Sequence, residues 1–236
     1  MNKEQYDAYV EFARDKLGVT FKNIELLITA LTHRSYVNEH KKSTKDHNER
    51  LEFLGDAVLE LVTTDYLFRE YDESEGILTN WRAALVRTES IGAAGEALGY
   101  GNLVRMSKGE RNGSERAHQV IMADAFEAVL GALYLDQGYT TAKRVIEEYI
   151  ISKLPEILEN ESWRDPKSYL QELSQRYDNE TPIYRIMKED GPDHDKVFTV
   201  GVFVGKNLAG TGEGHSKQEA EAAAAAKAIR KYKTKK

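Results

Sequence analysis

Apolar residues recur with helical spacing through residues 1–154, and none of the four prolines of the chain lies in that stretch. Proline breaks helices, so this part of the chain can form long, uninterrupted ones. The pattern predicts helices near residues 3–17, 23–31, 47–70, 76–98, 116–136 and 139–153. Glycines that mark helix ends are Gly18, Gly99 and Gly138.

The pattern changes in the last third of the chain. Residues 166–177 again have helical spacing, but three short runs at 183–187, 196–204 and 207–214 have the composition of strands. Residues 215–232 then form a strongly helical segment, with Ser216 as its expected N-cap. Its alanine run favours close packing of a helix on a sheet, because alanine combines high helix propensity with a small side chain.

Two domains of different class follow from these patterns. We predict an all-helical domain at 1–154, a linker of limited order at 155–163, and a small α+β domain with the order α-β-β-β-α at 164–236. The fold class is therefore mostly α.

Composition restricts the functions that such a chain can have. Hydrophobic residues make up 41% and charged residues 31%, as in ordinary globular proteins. The absence of cysteine excludes disulfides and cysteine-ligated metal sites. No apolar run reaches the length of a membrane span and no secretory signal is visible, so we expect a cytoplasmic protein without a membrane partner.

The charge is distributed unevenly along the chain. The net charge of −6 argues against a nucleic-acid partner, yet the 14 basic and 11 acidic residues from Trp163 onward give that part a balance of +3. The preceding residues then carry 19 basic and 28 acidic side chains, a balance of −9. An acidic body followed by a mildly basic domain requires an explanation.

Four acids follow one side of the predicted helix at 47–70. At 100° per residue they occupy about a third of the circumference. Leucines and valines at 51, 54, 58, 61 and 62 occupy the other side. These four acids are Glu49, Glu52, Asp56 and Glu60. Two interpretations are open, a solvated face and a cation site, and this pattern alone favours the solvated face.

A second acidic pair is harder to explain as surface. Asp124 and Glu127 are the only charges in residues 120–135, where apolar residues surround the predicted helix. Such a helix is buried, and buried carboxylates need a cation, a proton or a donor. If the two helices approach each other, Glu52 and Asp56 converge with this pair into an all-oxygen site that suits Mg²⁺ or Mn²⁺. Buried salt bridges to arginines are the alternative.

Histidines give little support to other metal sites. A carboxylate-bridged di-iron bundle needs two Glu-x-x-His motifs, and only Glu115 with His118 forms one. We expect His33 to pack or to cap a helix, not to bind a metal.

Four stretches of the chain resemble the sequence blocks of bacterial ribonuclease III, in the same order and over essentially the whole chain. They are NERLEFLGDAV (48–58), ALTHRSYVNE (30–39), EGILTNWRAALVRTESIG (75–92) and ADAFEAVLGALYLD (123–136). The resemblance implies that the catalytic metal ligands are Glu52, Asp56, Asp124 and Glu127.

The same resemblance implies roles for other residues of the first domain. Glu49 and Glu75 match further acids that line the cleavage site, whereas nothing in the family corresponds to Glu60. Phe53 matches a side chain that packs into the partner subunit of a homodimer. The loop at 103–118 matches one that contacts RNA. Trp81 stands where smaller aliphatic residues are usual, which is expected to affect packing and not chemistry.

The last domain is similar to double-stranded RNA-binding domains, which recognise the shape of A-form RNA. The resemblance implies that Gln171 and Glu172 contact one minor groove and that His194 enters the next. Ser216 and Lys217 match the helix N-terminus that binds phosphates. Gln218 replaces a second lysine that is common there.

The resemblance implies an endoribonuclease that hydrolyses double-stranded RNA with Mg²⁺, for which Mn²⁺ can substitute. It implies a homodimer, products with 5′-phosphate and 3′-hydroxyl ends, and a role in processing ribosomal RNA precursors and some messenger RNAs. Two alternatives have less support. Loss of a metal carboxylate would favour a non-catalytic RNA-binding or ribosome-associated protein on the same fold, but all four are present. A carboxylate bundle for oxygen chemistry lacks its second Glu-x-x-His motif.

Overall fold

A computed structural model describes residues 1–41, 46–192 and 196–233 and divides the chain into two compact units, Met1–Trp163 and Arg164–Lys236. The first unit is helical and the second combines helices with a sheet, which confirms the predicted fold class. Among the described residues, no helix has both the length and the apolar character that crossing a membrane requires.

Ten α-helices and one 3₁₀ turn account for the described part of the first unit. They are α1 (Lys3–Asp15), α2 (Ile24–Ala30), α3 (Arg34–Glu39), α4 (Glu49–Glu70), α5 (Glu75–Leu85), α6 (Thr88–Leu98), α7 (Lys108–Arg111), α8 (Glu115–Gln137), α9 (Tyr139–Tyr149), the 3₁₀ turn Ile151–Lys153 and α10 (Leu154–Glu159). Gly99 ends α6 with a left-handed backbone, φ 85°, as the glycine at this position predicted.

Helices α4 and α8 pack backbone to backbone at the centre of this unit. A Cβ atom added at Gly55 would overlap the carbonyl oxygen of Glu127, and one added at Gly131 would overlap the carbonyl oxygen of Leu51. Both glycines are buried in the helix interior. Glycine in a helix interior costs stability, so its presence on both helices serves this close approach.

The single helix predicted at 76–98 is wrong: the structure has two, α5 and α6, that meet at Val86 and Arg87. Arg87 is extended (φ −70°, ψ 150°) and starts α6, and the Ser90 hydroxyl donates a hydrogen bond to the Ala84 carbonyl oxygen across the break. Neither proline nor glycine marks the break, so the apolar pattern ran through it. Helices α3 and α7 are too short to give a periodic signal.

Residues 155–163 differ from the linker expected there. Their first part lies in α10, where Leu154 and Ile157 are buried in the core of the first unit. Trp163 packs edge-on against Trp81, with ring centroids 6.1 Å apart. Trp81 also packs edge-on against Tyr71 at 5.1 Å. The large side chain at position 81 thus contributes to packing at the C-terminal end of the unit.

The second unit contains α11 (Pro166–Asp178), a sheet of β1 (Ile183–Asp190), β2 (Val197–Val204) and β3 (Asn207–Gly214), and α12 (Lys217–Lys233). The sheet is antiparallel in the order β1-β2-β3. The Ser216 hydroxyl accepts a hydrogen bond from the Glu219 amide at 3.1 Å, as expected of the N-cap of α12.

Helix α12 lies directly on strand β3. Added Cβ atoms at Gly210 and Gly212 would overlap backbone atoms of Ala224. Ala220, Ala224 and Ala228 on the facing side of the helix are fully buried. This confirms that the alanine run serves packing. The glycines of β3 and the alanines of α12 together allow the helix to lie close to the strand.

The glycine contact between α4 and α8 can be tested with a matched pair of variants. Gly55→Ala must push the helices apart, and we expect a loss of about 3 kcal/mol or more. Gly76, an exposed position in α5 with open space around it, is the control, and Gly76→Ala should be neutral or gain up to about 1 kcal/mol. Urea unfolding measures both, and equal small effects would contradict the close approach.

Candidate metal centre

Three carboxylates from the two central helices meet beside the glycine contact. Glu52 of α4 and Asp124 and Glu127 of α8 each place one oxygen within 4.8 Å of the others. All three side chains are half-buried. Asp124 and Glu127 are three residues apart on α8 and therefore share a face, while Gly55 lets α4 bring Glu52 up to that face.

The proximity of these groups raises their pKa values. Burial raises the pKa of Glu52 to about 7, helped by the charges of Asp124, Glu49 and Asp56. Burial likewise raises the pKa of Glu127 to about 8, helped by Asp56, Glu52 and Asp124. Burial also raises the pKa of Asp124. Glu52 and Glu127 are therefore partly protonated near neutral pH unless positive charge is supplied.

Among the described residues, no arginine or lysine forms an ion pair with Glu52, Asp124 or Glu127. The alternative of buried salt bridges to arginines is therefore wrong for this part of the chain. Asp124 and Glu127 on α8 are half-buried, have no hydrogen-bond donor among the described residues, and lie close to a third carboxylate. A bound cation is therefore what would allow all three carboxylates to be ionised together. An oxygen-only donor set fits a hard divalent cation such as Mg²⁺, Mn²⁺ or Ca²⁺.

Two further acids of α4 flank this triad. Asp56 is exposed and lies outside the group of three, yet its charge acts on both Glu52 and Glu127. Glu49 is exposed and acts on Glu52 and Asp124, and it pairs with Arg34 at 3.3 Å. Both therefore belong to the same electrostatic site as the triad.

The other two acids have different surroundings. Glu60, expected to be simply solvated, forms an ion pair with the Arg82 guanidinium at 3.1 Å. Glu75 is exposed in the first turn of α5 and does not belong to the triad. Sequence periodicity placed Glu60 on the acidic side of α4 but could not show that α5 covers it with an arginine.

His33 caps α3, as expected. Its Nδ1 accepts a hydrogen bond from the Ser35 amide at 3.3 Å. Burial lowers the pKa of His33, and the nearby carboxylates of Glu110 and Asp124 oppose that shift. The imidazole thus lies close to the carboxylate site.

Helix α4 also exposes large apolar side chains. Phe53 is 81% exposed, Phe68 76% and Leu61 58%. Leu61 was expected on the buried side, which is wrong, because it lies with the two phenylalanines on one flank of the helix. Several exposed apolar side chains on one flank are typical of a surface that a partner covers.

In the second unit, Gln171 and Glu172 are exposed on α11, and Glu172 pairs with Arg164 at 3.4 Å. Lys217 is exposed at the first turn of α12, with Nζ 5.7 Å from the centre of the Phe198 ring. His194 lies outside the described residues.

The sequence patterns did not identify Gly55 as a point of close approach between α4 and α8. The signal was present, because a glycine inside an otherwise strong helical pattern usually has a packing reason. It could have identified the turn of α4 that faces α8.

Comparison with known proteins agrees with the two units. Residues 23–154 match the ribonuclease-III-like family and residues 166–232 the double-stranded RNA binding motif. Ribonuclease 3 of Bacillus cytotoxicus is 47% identical over 221 residues, covering 93% of this chain and 90% of the relative. Ribonuclease 3 of Bacillus cereus strain G9842 is 46% identical with the same coverage.

A solved structure is also similar to the first unit. It is the nuclease domain of ribonuclease III from Campylobacter jejuni, described for flexibility in the region involved in dimer formation, with 42% identity and a TM-score of 0.53. The match covers 59% of this chain and 97% of that domain. The chain therefore belongs to the ribonuclease III family, with a helical nuclease domain followed by a double-stranded RNA-binding domain.

Proposed function

We propose that this double-strand-specific endoribonuclease works with Mg²⁺ bound by Glu52, Asp124 and Glu127, with Asp56 as a further ligand, and that Mn²⁺ can substitute for Mg²⁺. The observation that carries the proposal is the triad of half-buried carboxylates within 4.8 Å, which no basic side chain of the described residues neutralises. When bound, a divalent cation supplies positive charge that stabilises the charge developing on the scissile phosphate.

The protein side chains have complementary tasks in this reaction. The triad holds the cation between α4 and α8, and Glu49 and Asp56 extend the acidic site towards solvent. The oxygen of a water molecule bonds to phosphorus while the bond from phosphorus to the 3′ oxygen breaks, and the proton that water gives up ends on that 3′ oxygen. The products therefore carry a 5′-phosphate and a 3′-hydroxyl. No covalent nucleophile of the protein is required.

The second unit, from residue 164 onward, supplies affinity for the duplex. Gln171 and Glu172 are proposed to contact one minor groove, and His194 the next. Ser216 and Lys217 lie where the amides and dipole of α12 attract a phosphate. Recognition of shape suits long duplex regions, and we propose ribosomal RNA precursors and some messenger RNAs as substrates.

The acidic first unit and its anionic substrate are compatible under this proposal. Bound divalent cations offset the carboxylates, while the more basic second unit attracts the phosphate backbone. A non-catalytic RNA-binding protein on the same fold would not need the triad. The presence of all three carboxylates, and the similarity to relatives named as ribonucleases, favour catalysis.

We further propose a homodimer formed through the apolar flank of α4. Phe53, Leu61 and Phe68 would be buried by the second copy, and Phe53 would enter the partner. Two sites related by symmetry could then each cut one strand of the same duplex. The related nuclease domain of C. jejuni, which has a region involved in dimer formation, supports this arrangement.

Glu127→Gln tests the role of the triad in cleavage. The variant keeps the shape of the side chain but removes a charge that the cation needs, so cleavage of duplex RNA with Mg²⁺ should fall by about 10² or more. Duplex binding should persist. Glu60→Gln, which loses only the ion pair with Arg82, should cleave at nearly the wild-type rate. Equal mild effects in a gel-based cleavage assay would refute the assignment.

The raised pKa of Glu127 makes stability depend on pH in the metal-free protein. The folded state holds a proton up to about pH 8, whereas the ordinary pKa is 4.5. Protonated Glu127 therefore leaves the folded state at full stability below pH 4.5, and stability is lost as the pH rises towards 8, because the unfolded chain gives up the proton first. Glu127→Gln should therefore stabilise the protein by about 1 kcal/mol at pH 8.5, allowing for solvent screening, and little at pH 5.

Thermal unfolding with a chelator present measures this difference. Added Mg²⁺ should raise the Tm of the wild type at pH 8.5 more than that of the variant. A variant that is less stable than the wild type at pH 8.5 without metal would show that Glu127 has a favourable partner.

Phe53→Ala tests the homodimer. Removing the side chain that enters the partner should shift sedimentation at micromolar concentration towards monomer and reduce paired cutting of both strands. Leu208→Ala, at an exposed apolar position in the second unit, should leave the dimer intact. A wild-type monomer at micromolar concentration would contradict the proposal.

Lys217→Ala tests the phosphate contact of α12. Binding to duplex RNA should weaken for all sequences alike, and the slope of log affinity against log salt should decrease by about 1. Lys188→Ala removes another exposed lysine, on β1, that pairs with Asp190, and it should leave the salt slope unchanged. Identical salt slopes for both variants and the wild type would count against the contact.

A further inference from the structure

The backbone around His33 fixes the imidazole relative to the carboxylate site. The His33 amide donates to the Arg105 carbonyl at 2.9 Å, and the Arg105 amide donates to the Leu31 carbonyl at 2.8 Å. The amide of Asn48, directly before α4, donates to the Thr32 carbonyl at 2.9 Å. The segment is thus joined to the start of the helix that carries Glu52.

The hydrogen bonds of the imidazole determine which nitrogen carries the proton. The Ser107 amide donates to the Ser35 hydroxyl oxygen at 3.0 Å, which leaves that hydroxyl free to donate to His33 Nδ1 at 2.7 Å. The Ser35 amide also donates to Nδ1 at 3.3 Å. A backbone amide can only donate, so Nδ1 is the acceptor and the neutral ring has its proton on Nε2.

The Nε2–H donor is left without a protein partner among the described residues, because the hydrogen bonds of the ring are all made by Nδ1. The ring is half-buried. The charged groups around it are the carboxylates of Glu110, Asp124 and Glu49 and the guanidinium of Arg34. An accessible donor therefore stands at the edge of the acidic site.

The cap alone does not account for a histidine at this position. Serine, threonine, aspartate and asparagine are the preferred N-cap residues, and each of them has an oxygen that accepts from the following amides. Histidine supplies the same acceptor but adds a second nitrogen on the far side of the ring. That second nitrogen is what a capping role leaves unused.

We propose that His33 contacts the substrate by donating its Nε2–H to a non-bridging phosphate oxygen of the RNA strand being cut. The inference rests on the proposed function, which brings that phosphate to the carboxylate triad. A phosphate oxygen is an anionic acceptor and forms a strong hydrogen bond with such a donor. The contact would orient the phosphate and would strengthen as charge develops on it.

Two substitutions separate the cap from the donor. His33→Asn keeps an oxygen that accepts from the Ser35 amide and hydroxyl but does not reach the position of Nε2. His33→Gln places an amide N–H near the position of Nε2 but is a poor cap. The measurement is single-turnover cleavage of a long RNA duplex by the full chain, at saturating protein with Mg²⁺, together with thermal unfolding and Mn²⁺ titration by calorimetry without RNA.

We expect His33→Asn to unfold at the wild-type temperature and bind Mn²⁺ with the wild-type affinity, yet to cleave about 10- to 100-fold more slowly. His33→Gln should unfold at a lower temperature but cleave faster than His33→Asn. Wild-type cleavage by His33→Asn would overturn the inference and leave His33 as a cap.

Two other outcomes would also decide against the contact. If His33→Asn lost Mn²⁺ affinity to the same extent as cleavage, the Nε2–H of His33 would be assigned to a hydrogen bond with the metal ligand Asp124 and not to the phosphate. A wild-type protein that leaves duplex RNA intact would refute the proposed function itself, and this result is distinct from equal cleavage by wild type and variant.

Discussion

The contact between the backbones of α4 and α8 at Gly55 and Gly131 is the constraint on which the catalytic unit depends. Because neither helix has a side chain there, Glu52 can approach Asp124 and Glu127 closely enough for their oxygens to lie within 4.8 Å. A methyl group on either glycine would separate the helices and with them the carboxylates. Packing and chemistry are therefore set by the same turn of each helix.

This arrangement concentrates negative charge where solvent can only partly screen it. Neighbouring acids are compensated locally: Glu60 pairs with Arg82 and Glu49 with Arg34. The triad has no such partner among the described residues, and the raised pKa values of Glu52 and Glu127 show that ionising these carboxylates is unfavourable there. The triad thus differs from neighbouring acids whose charge a basic side chain already offsets. Carboxylates with strongly shifted pKa values are common at functional sites.

Much of this architecture could be predicted from the sequence, for reasons that particular residues make clear. Long amphipathic runs identified most helices, the isolated charges of Asp124 and Glu127 identified the half-buried acids, and the alanine run indicated that the last helix packs closely on the sheet. These signals are local. The break at Val86 and Arg87 has no proline or glycine, and the ordering of residues 155–159 depends on a core formed by distant residues. The exposure of Leu61 depends on which flank of α4 its neighbours leave open. Tertiary packing decides all three.

The two tryptophans of the chain are Trp81 and Trp163, and they pack against each other within the first unit. The second unit has none, so its emission comes from tyrosine alone. Excitation at wavelengths that tyrosine does not absorb therefore reports on the nuclease unit selectively, without any label. Because Trp163 is the last residue of that unit, its fluorescence senses the point where the chain leaves the catalytic body. Tryptophan fluorescence of the intact protein can therefore show whether this end of the first unit frays when RNA binds.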